Sequence, residues 1–107
     1  MKAICLCEHG NSRSVVCSYI LKEKYGVDSL SCGFRTNSKE TLEMLFEWAD
    51  IIILMQADFI RVIPIKYHHK VHVIDVGPDR WFVLHIVTDL IAKIDYSLTK
   101  FFEERKQ

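Results

Sequence analysis

Ile51-Ile52-Ile53-Leu54-Met55 is the stretch that most constrains the fold. An unbroken apolar run of this kind suits a strand in a sheet covered on both faces, the usual setting of parallel strands. Lys2 to Cys7 reads as a second buried strand, short, apolar and closed by a polar, Gly-containing turn. Val27 to Phe34 and Val71 to Val76 are the other strand candidates. Helical patterns lie between them. Ser14 to Tyr25 carries Val16, Ile20 and Leu21 at helical spacing, with Gly26 as a stop signal. Ser38 can cap a helix through Glu47, with Leu42, Leu45 and Phe46 on its buried face. A short helix is expected up to Ile63, since Pro64 disfavours its continuation. Val87, Leu90, Ile91, Ile94, Leu98 and Phe101 mark one stripe of a C-terminal helix.

Strands alternating with helices predict an α/β fold. Its parallel sheet has right-handed crossovers and helices on both faces, a three-layer sandwich. The 107 residues leave room for one core, so residues 1–107 are expected to form a single domain. In such sheets ligands bind at the carboxyl ends of strands, near a switch in strand order. The loop after the first strand is therefore the place to look.

Charge narrows the range of partners. Lys plus Arg number 14 and Asp plus Glu number 14, so no net field draws nucleic acid or an anionic membrane. Any preference for phosphate must come from a local site. Glu8 and His9 interrupt the N-terminal apolar run, which is too short for a signal-peptide core, and no run approaches the ~20 residues of a membrane span. The expected location is the cytoplasm. Cys5, Cys7, Cys17 and Cys32 are then expected as free, metal-binding or catalytic thiols rather than a disulfide frame.

The loop after the first strand reads Cys7-Glu8-His9-Gly10-Asn11-Ser12-Arg13-Ser14. A Cys six residues before an Arg is weak by itself. Gly10 and Ser14 at fixed offsets, between a strand and a helix, make the pattern specific. A loop entering a helix aims backbone N–H groups and the positive dipole end into one concavity. Those groups suit a phosphate dianion and favour a thiolate nucleophile at Cys7. Gly10 lets the backbone curl without a Cβ in the way. Arg13 offers a planar fork matching two phosphate oxygens, which Lys could not reproduce. Ser14 can donate a hydrogen bond to the Cys7 sulfur, and His9 either contacts substrate or faces solvent. The alternative is that Cys7 is only a buried strand residue and Arg13 a solvated helix start, which leaves Gly10 and Ser14 as coincidences.

The loop resembles the signature of the protein tyrosine phosphatases: Cys, five residues, Arg, then Ser or Thr. Its position at the extreme N-terminus is similar to the low-molecular-weight class of that family, in its compact bacterial and phage-type form. Ala49-Asp50-Ile51-Ile52-Ile53-Leu54-Met55 is similar to that class's third-strand segment, and Pro78-Asp79-Arg80-Trp81 resembles its acid loop. The resemblance implies a four-stranded parallel sheet in the order 2-1-3-4. It also implies phosphomonoester hydrolysis, phosphotyrosine foremost, through a phosphocysteine on Cys7. Arg13 would bind phosphate, with Glu8, His9, Gly10, Asn11, Ser12 and Ser14 around the substrate. Three positions depart from the pattern. Gly10 sits three residues after the Cys rather than two, Val15 replaces a Pro, and Ser12 stands where many members carry a second loop cysteine.

A phosphate ester leaves poorly as an alkoxide, so an acid should protonate the departing oxygen. Asp79 and Asp75 are the candidates. Asp79 is favoured by the Pro-Asp resemblance and by its turn-rich loop, and Asp75 can orient that loop. Either could instead be a solvated or turn-capping carboxylate. Trp81 could wall an aryl leaving group or anchor the loop to the core. Arg80 could add positive potential at the mouth, and is otherwise a solvated arginine. No cofactor is called for. His68, His69 and His72 suggest a metal, but no carboxylate or cysteine falls at ligand spacing, so a polar strand entrance is the expectation. Cys5 or Cys17 could give reversible oxidation, although buried thiols are the ordinary reading.

Three rival functions share parts of this pattern. A thiol-based arsenate reductase would need cysteines in the later half of the chain, and none follows Cys32. A sugar-transport phosphocarrier would lack the loop arginine. A non-enzymatic phosphoprotein- or anion-binding module would be expected to lack Cys7 or the acid. The expected partner is accordingly a phosphorylated protein or a small phosphomonoester.

Overall fold

The computed structural model describes residues 1–10, 13–76 and 84–105, the side chains of 84–88 excepted. Strands β1 (Lys2–Cys7), β2 (Asp28–Gly33), β3 (Ile51–Leu54) and β4 (Val71–Val73) form one parallel sheet in the order β2-β1-β3-β4. The expected 2-1-3-4 order is the observed one. The α-helices are α1 (Arg13–Tyr25), α2 (Lys39–Trp48) and α3 (Leu84–Arg105), with 3-10 helices at Ala57–Val62 and Ile65–Lys70. The two central strands are dry: Ala3 to Cys7 and Ile52 to Leu54 have no exposed surface. That explains why they read as continuous apolar runs rather than alternating ones.

Side chains on β1 alternate, so Ala3, Cys5 and Cys7 share one face and Ile4 and Leu6 the other. Helix α1 covers the cysteine face. Its Ser18 Oγ lies 2.9 Å from Ser29 Oγ, and Ser29 Oγ donates to the Ser18 carbonyl at 2.8 Å. Ser29 stands opposite Ala3 in the β1–β2 register. The chain steps out from β1 to β2, then back across β1 to β3. Right-handed crossovers therefore place α2 on the opposite face. Helix α3 lies beside α1, where Tyr25 stacks on Phe102 at 4.2 Å and its hydroxyl is 3.0 Å from Thr99 Oγ1.

Local chemistry sets the element ends. Gly26 takes φ +62° after α1, and the Val27 N–H closes the turn onto the Leu21 carbonyl at 3.0 Å. Ser38 caps α2, its Oγ accepting from the Thr41 N–H at 3.1 Å. At the other end Lys70 Nζ donates to the Phe46 and Glu47 carbonyls at 2.9 and 3.2 Å, a cation at the negative end of the helix dipole.

Some boundaries differ from expectation. Pro64 ends one 3-10 helix but also starts the next, because its fixed φ suits the start of a helical turn. Strand β2 is shorter at both ends. β4 stops at Val73, although the Ile74 and Val76 N–H groups still reach the Leu54 and Met55 carbonyls at 2.8 and 3.1 Å. On α3 the residues Leu90, Ile94 and Leu98 are fully buried, but Ile91 is 45 % exposed. Spacing of four fills the contact, and the adjacent position falls off its edge. His68 and His69 lie in the 3-10 helix before β4, with His68 Nε2 2.8 Å from the Ile63 carbonyl. His72 sits 4.3 Å from the Phe101 ring, where burial holds its pKa below the ordinary value. Among the described residues no helix is long and apolar enough to cross a membrane, and no cluster suited to a metal ion occurs.

Candidate active site

Cys7 closes β1, and its Sγ lies at the floor of the loop that follows. The Gly10 N–H donates to Sγ at 3.0 Å, and Ser14 Oγ, in the first turn of α1, is also 3.0 Å from it. Gly10 takes φ +75°, and a Cβ there would come within 2.8 Å of the Cys32 carbonyl carbon and the Gly33 nitrogen. Gly33 meets it from the other side: a Cβ there would sit 2.2 Å from the His9 carbonyl carbon. Two facing glycines thus let the loop rest directly on the end of β2.

The chain after β2 holds the loop in place. Phe34 N–H donates to the Cys7 carbonyl at 3.2 Å, Arg35 N–H to Glu8 at 2.9 Å, and Thr36 Oγ1 to His9 at 2.9 Å. The Glu8 carboxylate pairs with the Arg35 guanidinium. Asn37 Oδ1 accepts from the Gly33 N–H at 2.9 Å and fixes the turn itself. These bonds extend the β1–β2 pairing past the strand ends, so the loop starts from a fixed backbone.

Arg13 opens α1 and has no exposed surface. Its Nη1 donates to Gln56 Oε1 at 2.9 Å, and its Cζ lies 5.3 Å from the centre of the Phe59 ring. Phe59 in turn meets Phe34 edge-on at 4.9 Å. A cation withdrawn from water interacts with a nearby anion much more strongly than a surface arginine would. With a sulfur, a donating amide and a hydroxyl alongside, the site has the chemistry to receive a tetrahedral oxyanion.

The structure therefore brings Cys7, Gly10, Arg13 and Ser14 together. Glu8 is engaged with Arg35, and His9 is exposed, 3.8 Å from the Glu8 carboxylate. Asp75 is exposed, and its Oδ2 accepts from the Ala57 N–H at 3.2 Å. Asn11, Ser12, Asp79, Arg80 and Trp81 lie outside the described residues. Three neighbours of the site were not anticipated from the sequence: Gly33, Gln56 and Phe59. Gln56 had a usable signal. It is the first polar residue after the β3 apolar run, and β3 is a central strand whose carboxyl end faces the same crevice.

The other thiols differ from Cys7 in what surrounds them. All four cysteines are unbridged and buried. Burial pushes the Cys5 thiol well above its ordinary pKa, and a hydrogen bond with Cys17 pushes it further. Burial, with the nearby Cys7 sulfur, pushes Cys32 up to about 12.

The fold recurs in solved structures. The chain superposes on the YwlE arginine phosphatase from Geobacillus stearothermophilus with a TM-score of 0.71 at 16% identity, over 97% of this chain and 94% of that one. It superposes on Vibrio vulnificus Wzb, solved in complex with benzylphosphonate, with a TM-score of 0.75 at 10% identity, over 96% and 97% of the two chains. A low-molecular-weight protein tyrosine phosphatase from Bacillus subtilis gives a TM-score of 0.61 at 14% identity, over 98% and 99%. The fold is thus that of low-molecular-weight protein tyrosine phosphatases, in agreement with the resemblance in the sequence. No protein-family model and no curated protein matches the sequence significantly, and at these identities the likeness is one of fold.

Proposed function

We propose that the chain is a cysteine-dependent phosphatase that hydrolyses phosphomonoesters, phosphotyrosine foremost, through a phosphocysteine on Cys7. One observation carries the reading. A strand-end sulfur receives an N–H from Gly10 and lies against Ser14 Oγ, both at 3.0 Å, in the loop that ends on the buried Arg13. Donors gathered on a sulfur stabilise its anionic, nucleophilic form. The Cys7 thiolate attacks phosphorus, the bond to the leaving oxygen breaks, and Asp79 supplies the proton that oxygen needs. Water then attacks the phosphocysteine and gives its proton to Asp79. Inorganic phosphate leaves, and the thiolate is restored. Arg13 and the loop amides bind the equatorial oxygens, where charge builds in the transition state. Ser14 receives the sulfur as leaving group in the second step.

The experiment is hydrolysis of p-nitrophenyl phosphate by the wild type and by Cys7→Ser, with vanadate as competitor. Turnover by the wild type, inhibited by vanadate and lost in Cys7→Ser, supports the enzyme. Binding of phosphate without turnover supports an anion-binding module. Because the superposed proteins include an arginine phosphatase, phosphotyrosine and phosphoarginine peptides belong in the same assay. Leaving-group dependence assigns the acid. Asp79→Asn should slow esters of poor leaving groups far more than those of activated phenols, and it should weaken the basic fall of the pH profile. The steep dependence appearing in Asp75→Asn instead would transfer the role to Asp75.

A further inference from the structure

Resting on that reading, we infer that Gln56 is a positioning residue for Arg13, holding the phosphate-binding fork with a neutral acceptor that adds no negative charge beside it. A guanidinium has five donors and no acceptor, so the amide atom that faces Nη1 must be the oxygen. The bond is 2.9 Å long and reaches an arginine with no exposed surface. On its other side the guanidinium meets the Phe59 ring at 5.3 Å. Amide and ring fix the plane of the fork.

Gln56 is itself well anchored. The Met55 N–H before it is bound to the Leu6 carbonyl at 3.0 Å, and the Ala57 N–H after it to Asp75 Oδ2 at 3.2 Å. Its own carbonyl accepts from the Phe59 N–H at 3.2 Å. The side chain thus starts from a pinned backbone next to the centre of the sheet, and its amide carries that rigidity to Arg13. The choice of residue matters. A glutamate would reach as far, but its carboxylate would pair with the guanidinium, offset its charge and repel a phosphate dianion. Glutamine orients without neutralising.

The test uses Gln56→Met, of similar length without the acceptor, and Gln56→Glu, which keeps the acceptor and adds charge. Two readouts are taken: kcat and KM with p-nitrophenyl phosphate, and protection of Cys7 from iodoacetamide by inorganic phosphate. Gln56→Met should lower kcat/KM by about 10- to 100-fold, the range for a lost hydrogen bond to a charged group, and should weaken phosphate protection in parallel. Gln56→Glu should weaken protection more than Gln56→Met, although it is the closer match in shape. The deciding arm is a double-mutant cycle: in an Arg13→Ala background, adding Gln56→Met should change neither readout further. A proportional loss in both backgrounds would mean that Gln56 serves the fold rather than Arg13, and the inference would fall. It would also fall if Gln56→Met stayed within about twofold of the wild type, or if Gln56→Glu bound phosphate as well as the wild type. If the wild type does not turn over, but phosphate protects Cys7 in a Gln56-dependent way, the hydrolytic reading fails and this one stands. If phosphate does not protect the wild type, both fail.

Discussion

Cys5 and Cys7 sit two residues apart on one face of β1, both without exposed surface, and their surroundings are opposite. Cys5 lies inside the sheet, hydrogen-bonded with the Cys17 thiol, and burial keeps its proton on. Cys7 lies where the strand ends, and its sulfur meets the Gly10 N–H and the Ser14 hydroxyl. Burial alone makes a thiol inert. Burial together with aimed donors makes a site for an anion, whether that anion is the sulfur or the phosphate it would attack. The difference is therefore made by the backbone that leaves the strand, and the following experiments try to break it.

The largest effect should come from the cysteines themselves. Cys7→Ser should abolish hydrolysis, by about a thousandfold or more, while leaving the domain folded, because a serine hydroxyl stays protonated where a thiol ionises. Cys5→Ala should leave kcat within about twofold and reduce stability by about 1 kcal/mol, the ordinary effect of a small core deletion. Turnover assays and urea unfolding of the two variants check both statements. Equal losses of activity would mean that the contrast along β1 has no chemical meaning.

Arg13→Lys comes next. It keeps the charge at the start of α1 but loses the planar fork, and about a hundredfold loss in kcat/KM is expected, as for other donors to a transition state. Steady-state kinetics with an aryl phosphate would measure it. Near-normal kinetics would mean that Arg13 supplies only diffuse attraction, and that the donors around Cys7 suffice by themselves.

Much of this contrast was legible in the sequence, and the legible part has a common cause. Periodicity and strand-ending turns report local preferences. Lys2–Cys7, the Ser38 cap and the stop at Gly26 depend on such preferences, and each is found at or within a residue of its expected place. The loop was legible because its chemistry is contiguous, from Cys7 to Ser14. Gly33, Gln56 and Phe59 were not, because they reach the loop only through the sheet. Gly33 stands opposite Cys7 in the β1–β2 register, and Gln56 follows the strand on the other side. Nothing in Cys32-Gly33-Phe34 signals that a second glycine must yield space to Gly10. Ile91 shows the same limit in reverse: its spacing put it on the α3 stripe, but the contact it would fill is taken by Leu90 and Ile94.

A smaller effect is expected from Ser14→Ala, which removes the hydroxyl beside the sulfur and leaves the Gly10 N–H. About a tenfold loss in kcat is expected, the scale of one hydrogen bond to a charged group. Alkylation of Cys7 by iodoacetamide at neutral pH should slow as well, with Cys5, Cys17 and Cys32 unmodified in the native protein throughout. Mass spectrometry of the alkylated chain reads all four thiols at once. Modification of Cys5 at a rate near that of Cys7 would show that donors at the strand end do not set reactivity.

The last effect is thermodynamic, leaves activity at neutral pH unchanged, and concerns the thiols that should not react. Cys32 has its pKa raised from the reference value of 9.0 to about 12 by burial, and Cys5 is displaced in the same direction. Well below pH 9 both thiols are protonated whether the chain is folded or not, so they add no pH dependence to stability there. Between pH 9 and about 12 the unfolded chain releases the Cys32 proton while the native chain retains it, so the native state binds more protons and stability falls as pH rises. Each such thiol adds a slope of up to about 1.4 kcal/mol per pH unit. Urea unfolding from about pH 8 to about pH 11 should show the decline in the wild type and a shallower decline in Cys32→Ala, the two curves diverging only on the alkaline side. Parallel curves would mean that Cys32 ionises in the folded protein as readily as in the unfolded one. The sulfurs behind Cys7 would then be reachable by water, and the contrast along β1 would lose its inert half.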